Sequence, residues 1–179
     1  MSITIAGKTG HIAEIDKMGR TLSLSETVSY LERKSVDGIL WNLSLRGIIT
    51  TAAADVMYFL NTGSDDLNIA DIILRSSTNC DFELFKVTGV PAGTTPLVGI
   101  NRYLGKTTPL TATASFGTNI TGLARESNPF YSIPAGANST VQLKIDSHFQ
   151  IPPGSAICIR ASVATTFTAS ITVYRDQND

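Results

Sequence analysis

Cysteine and histidine are scarce in this chain. Cys80 and Cys158 are the two cysteines among 179 residues, and His11 and His148 the two histidines. Four such ligands, none paired at the short spacings that lower the cost of closing a zinc loop, give no metal motif. Tryptophan occurs once, at Trp41, and charged residues make up 16% of the sequence, below the usual quarter. The formal net charge of −1 leaves no excess of cations for neutralising phosphates, so nucleic acid is not an expected partner. Nor is the charge segregated by halves. Residues 1–36 carry five basic and four acidic groups, and residues 37–179 carry nine and eleven.

Long apolar runs are missing as well. No segment approaches the roughly 18 apolar residues of a membrane span, so no membrane partner is expected. The opening "MSITIAGKTGHIAEIDKMGR" has no continuous apolar stretch of the kind that directs export. Synthesis in a reducing compartment is the resulting expectation, with Cys80 and Cys158 as two buried free thiols. The "AGKTGH" in that opening holds part of a phosphate loop, but Ser2 stands where the first glycine of G-x-x-x-x-G-K-[ST] belongs.

What the chain has in quantity is small hydroxyl side chains, 17 Ser and 22 Thr. Threonine suits a pleated, half-buried surface, whereas a helical protein would lean on Ala, Glu, Lys and Leu. Strict alternation of apolar and polar residues recurs five times. In "TLSLSE", Leu22 and Leu24 share a face. In "WNLSLR", Trp41, Leu43 and Leu45 oppose Asn42, Ser44 and Arg46. In "LTATASFG", Leu110, Ala112, Ala114 and Phe116 oppose Thr111, Thr113 and Ser115. "TVQLKID" sets Val141, Leu143 and Ile145 on one side, and "FTASITVYRD" does the same with Phe167, Ala169, Ile171 and Val173.

Four further segments read as less regular strands. "VMYFLN" is apolar on both faces, which predicts a central position or a subunit contact. "LNIADIILRS" changes phase between Ile69 and Ile72, which predicts a bulge near Ala70 and Asp71. "CDFELFKV" and "SAICIRASV" complete the set. Turn signals such as "TGSDD", "GVPAGTTP", "IPAGANS" and "IPPGS" separate the strands. The total of eight to ten closely spaced strands predicts an all-β antiparallel sandwich or barrel. "SETVSYLERK" holds at most two helical turns, with Ser25 as N-cap. The expected layout is an N-terminal arm, residues 1–36, followed by a body, residues 37–179.

Candidate chemistry is sparse. Asp146, Ser147 and His148 hold three triad residue types in a row, but neighbours on a strand point to opposite faces, so they do not form a triad. Asp65, Asp66 and Asn68 carry oxygens that could face a cation. A turn explains them more simply, with the acids bonding local backbone and Gly63 supplying positive φ. Five Glu and ten Asp contain no spacing that selects a glycosidase pair. Trp41, Tyr58, Tyr103, Phe130 and Tyr131 are the available stacking platforms for a sugar, with Trp41 assigned to the core by its place on a clean strand. The expectation is therefore no catalytic, cofactor-binding or metal-binding residues, and no enzyme. One absence points to contact instead: from Leu84 to Arg125 there is no Asp or Glu. Interface centres are depleted of charge in this way.

Several segments resemble structural proteins of tailed-bacteriophage virions. "HIAEIDKMGRTLSLSETVSYLERKSVDGILWNLS" is similar to their opening A-x-[VI]-D-x-x-G-R-L element, matched here by Ala13, Ile15, Asp16, Gly19 and Arg20, with Thr21 interposed before Leu22. "VMYFLNTGSDDLNIADIIL" resembles their body hairpin. "NRYLGKTTP" and "IPPGSAICIRA" resemble a later loop and the entry to a penultimate strand. The resemblance implies a jelly-roll-like body, commonly a homotrimer, that decorates the head or belongs to the tail and fibre apparatus. It implies the major capsid protein or other virion proteins as partners, and the virion, assembled in the host cytoplasm, as location. It carries over no functional residue, since such a role is architectural. A module of tail fibre or baseplate that recognises host-surface glycans is the alternative.

Overall fold

The structure, a computed structural model, describes residues 4–6, 12–15, 21–24, 39–105, 107–144 and 149–175. The possible helix at 25–34 and the Asp146-Ser147-His148 run lie outside them. The chain forms two compact units, Met1–Arg33 and Lys34–Asp179. In the first, β1 (Thr4–Ala6), β2 (Ile12–Ile15) and β3 (Thr21–Leu24) pair antiparallel in sequence order. The N-terminal arm thus contains a small meander, and the "TLSLSE" alternation falls on its third strand.

The second unit is all-β among the described residues. Its strands are β4 (Leu40–Ile49), β5 (Ala54–Asn61), β6 (Leu67–Ser76), β7 (Cys80–Ala92), β8 (Thr95–Leu97), β9 (Ile100–Asn101) and β10 (Ala112–Phe116). Then come β11 (Thr121–Arg125), β12 (Tyr131–Ala135), β13 (Thr140–Lys144), β14 (Gln150–Ile151), β15 (Ala156–Ala161) and β16 (Thr165–Arg175). One antiparallel sheet has the order β13-β6-β16-β4-β9, with β14 also on β6. The other runs β11-β7-β15-β5-β10-β8, with β12 also on β7.

The pairing is nested. β4 pairs with β16, β5 with β15, β6 with β13, and β7 with β12. This is one long hairpin rolled over so that β16 meets β6 and β15 meets β7. The two sheets pack face to face as a β-sandwich with jelly-roll connectivity, as expected. Ten strands reach five residues or more; the short β8, β9 and β14 carry no alternation long enough to read.

Side-chain alternation explains the core. Trp41, Leu43 and Leu45 of β4 and Phe167, Ala169, Ile171 and Val173 of β16 point inward, toward Phe59, Phe82, Leu84 and Ile159 of the facing sheet. The phase slip in β6 is resolved where predicted. Ile69 pairs with Val173 and Asp71 with Thr172, so Ala70 is the extra residue, and both Ile69 and Ile72 remain buried. Strand β5 lies inside its sheet, with Met57 and Phe59 in the main core and Tyr58 in a second cluster on the opposite face. Ser115 departs from the pattern. It is buried although alternation puts it on the polar side, because β10 is flanked by both β5 and β8.

Outside the core, β4 and β16 form a ladder of uncharged polar pairs. The Thr172 hydroxyl donates to Asn42 Oδ1 at 2.8 Å, and Ser44 and Ser170 share a hydrogen bond of 3.1 Å. This is one use of the Ser and Thr content: cross-strand polar pairs satisfy one another on a pleated face.

The two sheets meet at an aromatic contact that depends on a glycine. Phe82 and Phe167 pack with ring centroids 6.0 Å apart and planes tilted by 48°. Gly47 sits opposite Phe167 in the β4–β16 register, and a Cβ there would lie 2.7 Å from Phe167 Cε1. The missing side chain is the space the ring occupies. Gly47→Ala is expected to cost about 1–3 kcal/mol by overpacking. In a Phe167→Leu background, where the ring is gone, the cost of the same change should shrink. Urea denaturation of the four proteins measures the coupling, and equal costs in both backgrounds would refute the contact.

Candidate interaction surfaces

Between β7 and β11 the chain makes an excursion that touches both sheets. β8 and β10 extend one sheet beyond β5, while β9 pairs with β4 on the other through Trp41↔Asn101 and Asn42↔Ile100. Trp41 Nε1 donates to Thr108 O at 3.0 Å, and Arg102 N donates to Leu40 O at 2.9 Å. A fully buried indole thereby spends its one donor on holding the excursion in place. The excursion covers the β4 edge and the β5 edge on the same side of the sandwich. Both edges would otherwise offer unpaired backbone.

The excursion is also where apolar side chains face solvent. Val98, Ile100, Tyr103 and Leu104 are exposed within seven residues of chain, and Leu104 retains 90% of its accessible area. Val90, near the end of β7, is 82% exposed. All five lie within the acid-free stretch Leu84–Arg125. That stretch holds four basic residues, leaving ten basic and fifteen acidic elsewhere, so a +4 segment is set against a −5 remainder. The acid-free window was the signal in the sequence. The exposure of Val98, Ile100 and Leu104 was not legible, because apolar residues between turns read equally well as core.

A second surface feature is a hollow of about 400 Å³ lined by Lys86, Glu126, Phe130, Phe149, Gln150 and Ser155, among others. Phe130 and Phe149 stack with centroids 4.6 Å apart, and Lys86 and Glu126 form an exposed ion pair at 3.7 Å. Of the proposed stacking platforms, Phe130, Tyr131 and Tyr103 are exposed, while Trp41 and Tyr58 are buried. Phe149 was overlooked in the sequence because it lies beyond the "TVQLKID" alternation, next to the Asp146-Ser147-His148 run.

The acids of the β5–β6 turn are explained differently from expectation. Gly63 is not among the positive-φ residues. Its N–H donates to Asn61 Oδ1 at 2.9 Å, and a Cβ would lie 2.7 Å from Thr111 Oγ1, so close approach accounts for the glycine. Asn61, rather than an acid, organises the turn, donating through Nδ2 to Asp65 O and Ile151 O. The Asp65 carboxylate faces Arg175 at 3.6 Å. Asn68 is buried in β6. Among the described residues no cluster of three or more His, Cys, Asp or Glu side chains could hold a metal ion.

Cys80 and Cys158 are both free and buried. Cys158 lies beside the buried Asp55, which pairs with the partly exposed Arg125 at 2.6 Å, and Arg125 also sits 5.8 Å over the Phe85 ring. Burial, and then the neighbouring Asp55 carboxylate, push the Cys158 thiol up to about 12 from 9.0. A thiol held protonated is a poor nucleophile. Comparison of the chain with protein-family models, with curated proteins and with solved structures returns no match in any of the three.

Two predictions follow from this cluster. A group whose pKa is raised on folding lends stability below its unfolded pKa and loses it as pH climbs toward the folded value. Stability should therefore fall between pH 9.0 and about 12, by up to about 1.4 kcal/mol per pH unit for Cys158. Tyr58, whose pKa burial also raises from 10.0, adds to the loss only above that pH. Cys158→Ala should flatten the curve between pH 9 and 10, read by urea denaturation; an unchanged slope would overturn the assignment. Separately, Arg125→Gln leaves the Asp55 carboxylate buried and uncompensated, for a loss of roughly 2 kcal/mol, less than a fully buried pair because Arg125 is one-third exposed.

Proposed function

We propose that this protein is a non-enzymatic structural component of a bacteriophage virion that decorates or cements the capsid exterior. The observation that carries the reading is the excursion between β7 and β11, basic, acid-free and apolar at its tip, fixed to the edges of a jelly-roll sandwich. Jelly rolls recur in viral capsid and lectin domains. The sequence resemblance to tailed-phage virion proteins supports the same reading from other residues, in Ala13–Arg20 and the β5–β6 hairpin.

The occupant proposed for the excursion is another copy of this chain, in a homotrimer. A +4 segment that met its own copy on a two-fold axis would repel it. Around a three-fold axis the contact joins two different surfaces, so the excursion of one copy meets the net-negative remainder of the next. Burying Val98, Ile100 and Leu104 in that contact removes apolar surface from water at about 25 cal/mol per Å².

Light scattering is expected to give three times the 19.1 kDa of one chain. Ile100→Asp with Leu104→Asp should yield folded monomers with an unchanged far-ultraviolet circular dichroism spectrum, since both side chains are exposed in the single chain; a trimer that survives both changes would refute the contact. The role itself is tested by mixing purified protein with mature shells of its own phage. Saturable binding at fixed stoichiometry is expected, and failure to bind would refute decoration.

The Phe130–Phe149 hollow favours a second reading, a tail-fibre or baseplate module that stacks a host-surface sugar on Phe130. A glycan array with wild-type and Phe130→Ala protein separates the two: signal lost in the variant selects the second reading.

A further inference from the structure

The uncharged ladder on the outer face of the β4–β16–β6 sheet is interrupted by two arginines. Thr168 of β16 is in register with Arg46 of β4 on one side and with Arg75 of β6 on the other. All three are exposed and alternate with the inward Leu45, Leu74, Phe167 and Ala169. Two strand spacings set the arginine backbones about 10 Å apart, within reach of guanidiniums that converge over Thr168.

Neither guanidinium makes a hydrogen bond or ion pair with a described residue; Arg125, Arg160 and Arg175 each face a carboxylate, and Arg102, on the excursion, does not. The acid nearest along the same strand face is Asp71, four residues from Arg75. Its Oδ2 accepts from Gln142 Nε2 at 3.0 Å, and it pairs in register with Lys144 rather than with either arginine.

The two arginines border a hollow of about 310 Å³, completed by Ser76, Ser77, Asn138, Thr166 and Thr168. Among the described residues no carboxylate lines it. Its floor is fixed before any ligand arrives. Ser76 and Thr165 share a buried hydrogen bond of 2.7 Å, Thr166 N donates to Ser77 Oγ at 3.1 Å, and Asn138 N donates to Ser76 O at 2.8 Å. Asn138, whose backbone is left-handed at φ 57°, lines the same hollow.

We propose that Arg46 and Arg75 form a binding site for an oxyanion carried on a small polar molecule of monosaccharide size. Two guanidiniums offer forked donors that match the oxygens of a phosphate or sulfate, and charge-assisted bonds of this kind are roughly twice as strong as neutral ones. The hydroxyls and the Asn138 amide suit the neutral, hydroxylated body. The volume is at the lower end of that of small-molecule sites, larger than a bare anion requires. The site lies on the face of one sheet, several residues along β4 from the Trp41 position where the excursion docks, so it does not rest on the proposed assembly.

Isothermal titration with glucose 6-phosphate, inorganic phosphate and glucose tests it. Saturable binding is expected for glucose 6-phosphate, about tenfold weaker binding for inorganic phosphate, and none for glucose. Equal affinity for both anions would overturn the part played by the hydroxylated body, leaving an anion site alone. Arg46→Gln and Arg75→Gln should each weaken binding of glucose 6-phosphate by tenfold or more, and raising the salt should weaken it in the wild type. Both side chains are exposed, so the variants should melt with the wild type. Absence of saturable binding to either anion up to about 10 mM, a range covering ordinary weak sites, would overturn the proposal. So would binding that both substitutions leave intact.

Discussion

The sandwich depends on β16 being held between β4 and β6. Ten residues of β16 pair with β4 and nine with β6. Because side chains alternate, a one-residue error in either register would turn Phe167, Ala169, Ile171 and Val173 toward water. The bulge at Ala70 is what allows both registers to hold at once. It shifts β6 by one residue, so that Ile69 before it and Ile72 after it serve the same core. The last strand of the body thus locks together strands that lie about a hundred residues earlier. Such pairings are formed against a large loop-closure entropy and make a slow-folding topology.

That arrangement also determines where the molecule can carry contacts. Rolling a hairpin into two sheets leaves edges, and edges invite uncontrolled association. The β4 and β5 edges are occupied by β9 and by β10 with β8, all from a single excursion. The segment that blocks unspecific pairing is the one that presents Val98, Ile100 and Leu104 to solvent. In the proposed assembly side-chain recognition would take the place of backbone pairing, and it discriminates partners far better because shape and charge must both match.

Much of the fold was legible in the sequence. The alternating segments from β4 onward became strands whose described apolar faces point inward as anticipated, and the phase slip in "LNIADIILRS" located a bulge to within a residue. What sequence could not supply was which strand pairs with which from physics alone, since alternation is the same for any partner. It also misjudged two local details. Gly63 looked like a left-handed turn residue, yet its lack of a side chain makes room for Thr111. Ser115 looked exposed because it is polar, yet a further strand flanks it. Both errors concern long-range neighbours, which periodicity does not encode.

The candidate surfaces were legible only as absences. A stretch without acids announced the excursion, but whether its apolar residues faced in or out depended on β9 docking to β4. Arg46 and Arg75 are 29 residues apart and became neighbours only through Thr168, on a third strand. Their proximity adds local repulsion that a neutral ladder would avoid, weak in water but present with no lining carboxylate to offset it. Elsewhere on this sandwich Lys86 is matched with Glu126, Arg125 with Asp55, Arg160 with Glu83 and Arg175 with Asp65, while the exposed Arg102 and Lys144 make no ion pair with a described residue. What sets Arg46 and Arg75 apart from those two is that they share a register line through Thr168 and border one hollow, and the proposed oxyanion site rests on that shared placement.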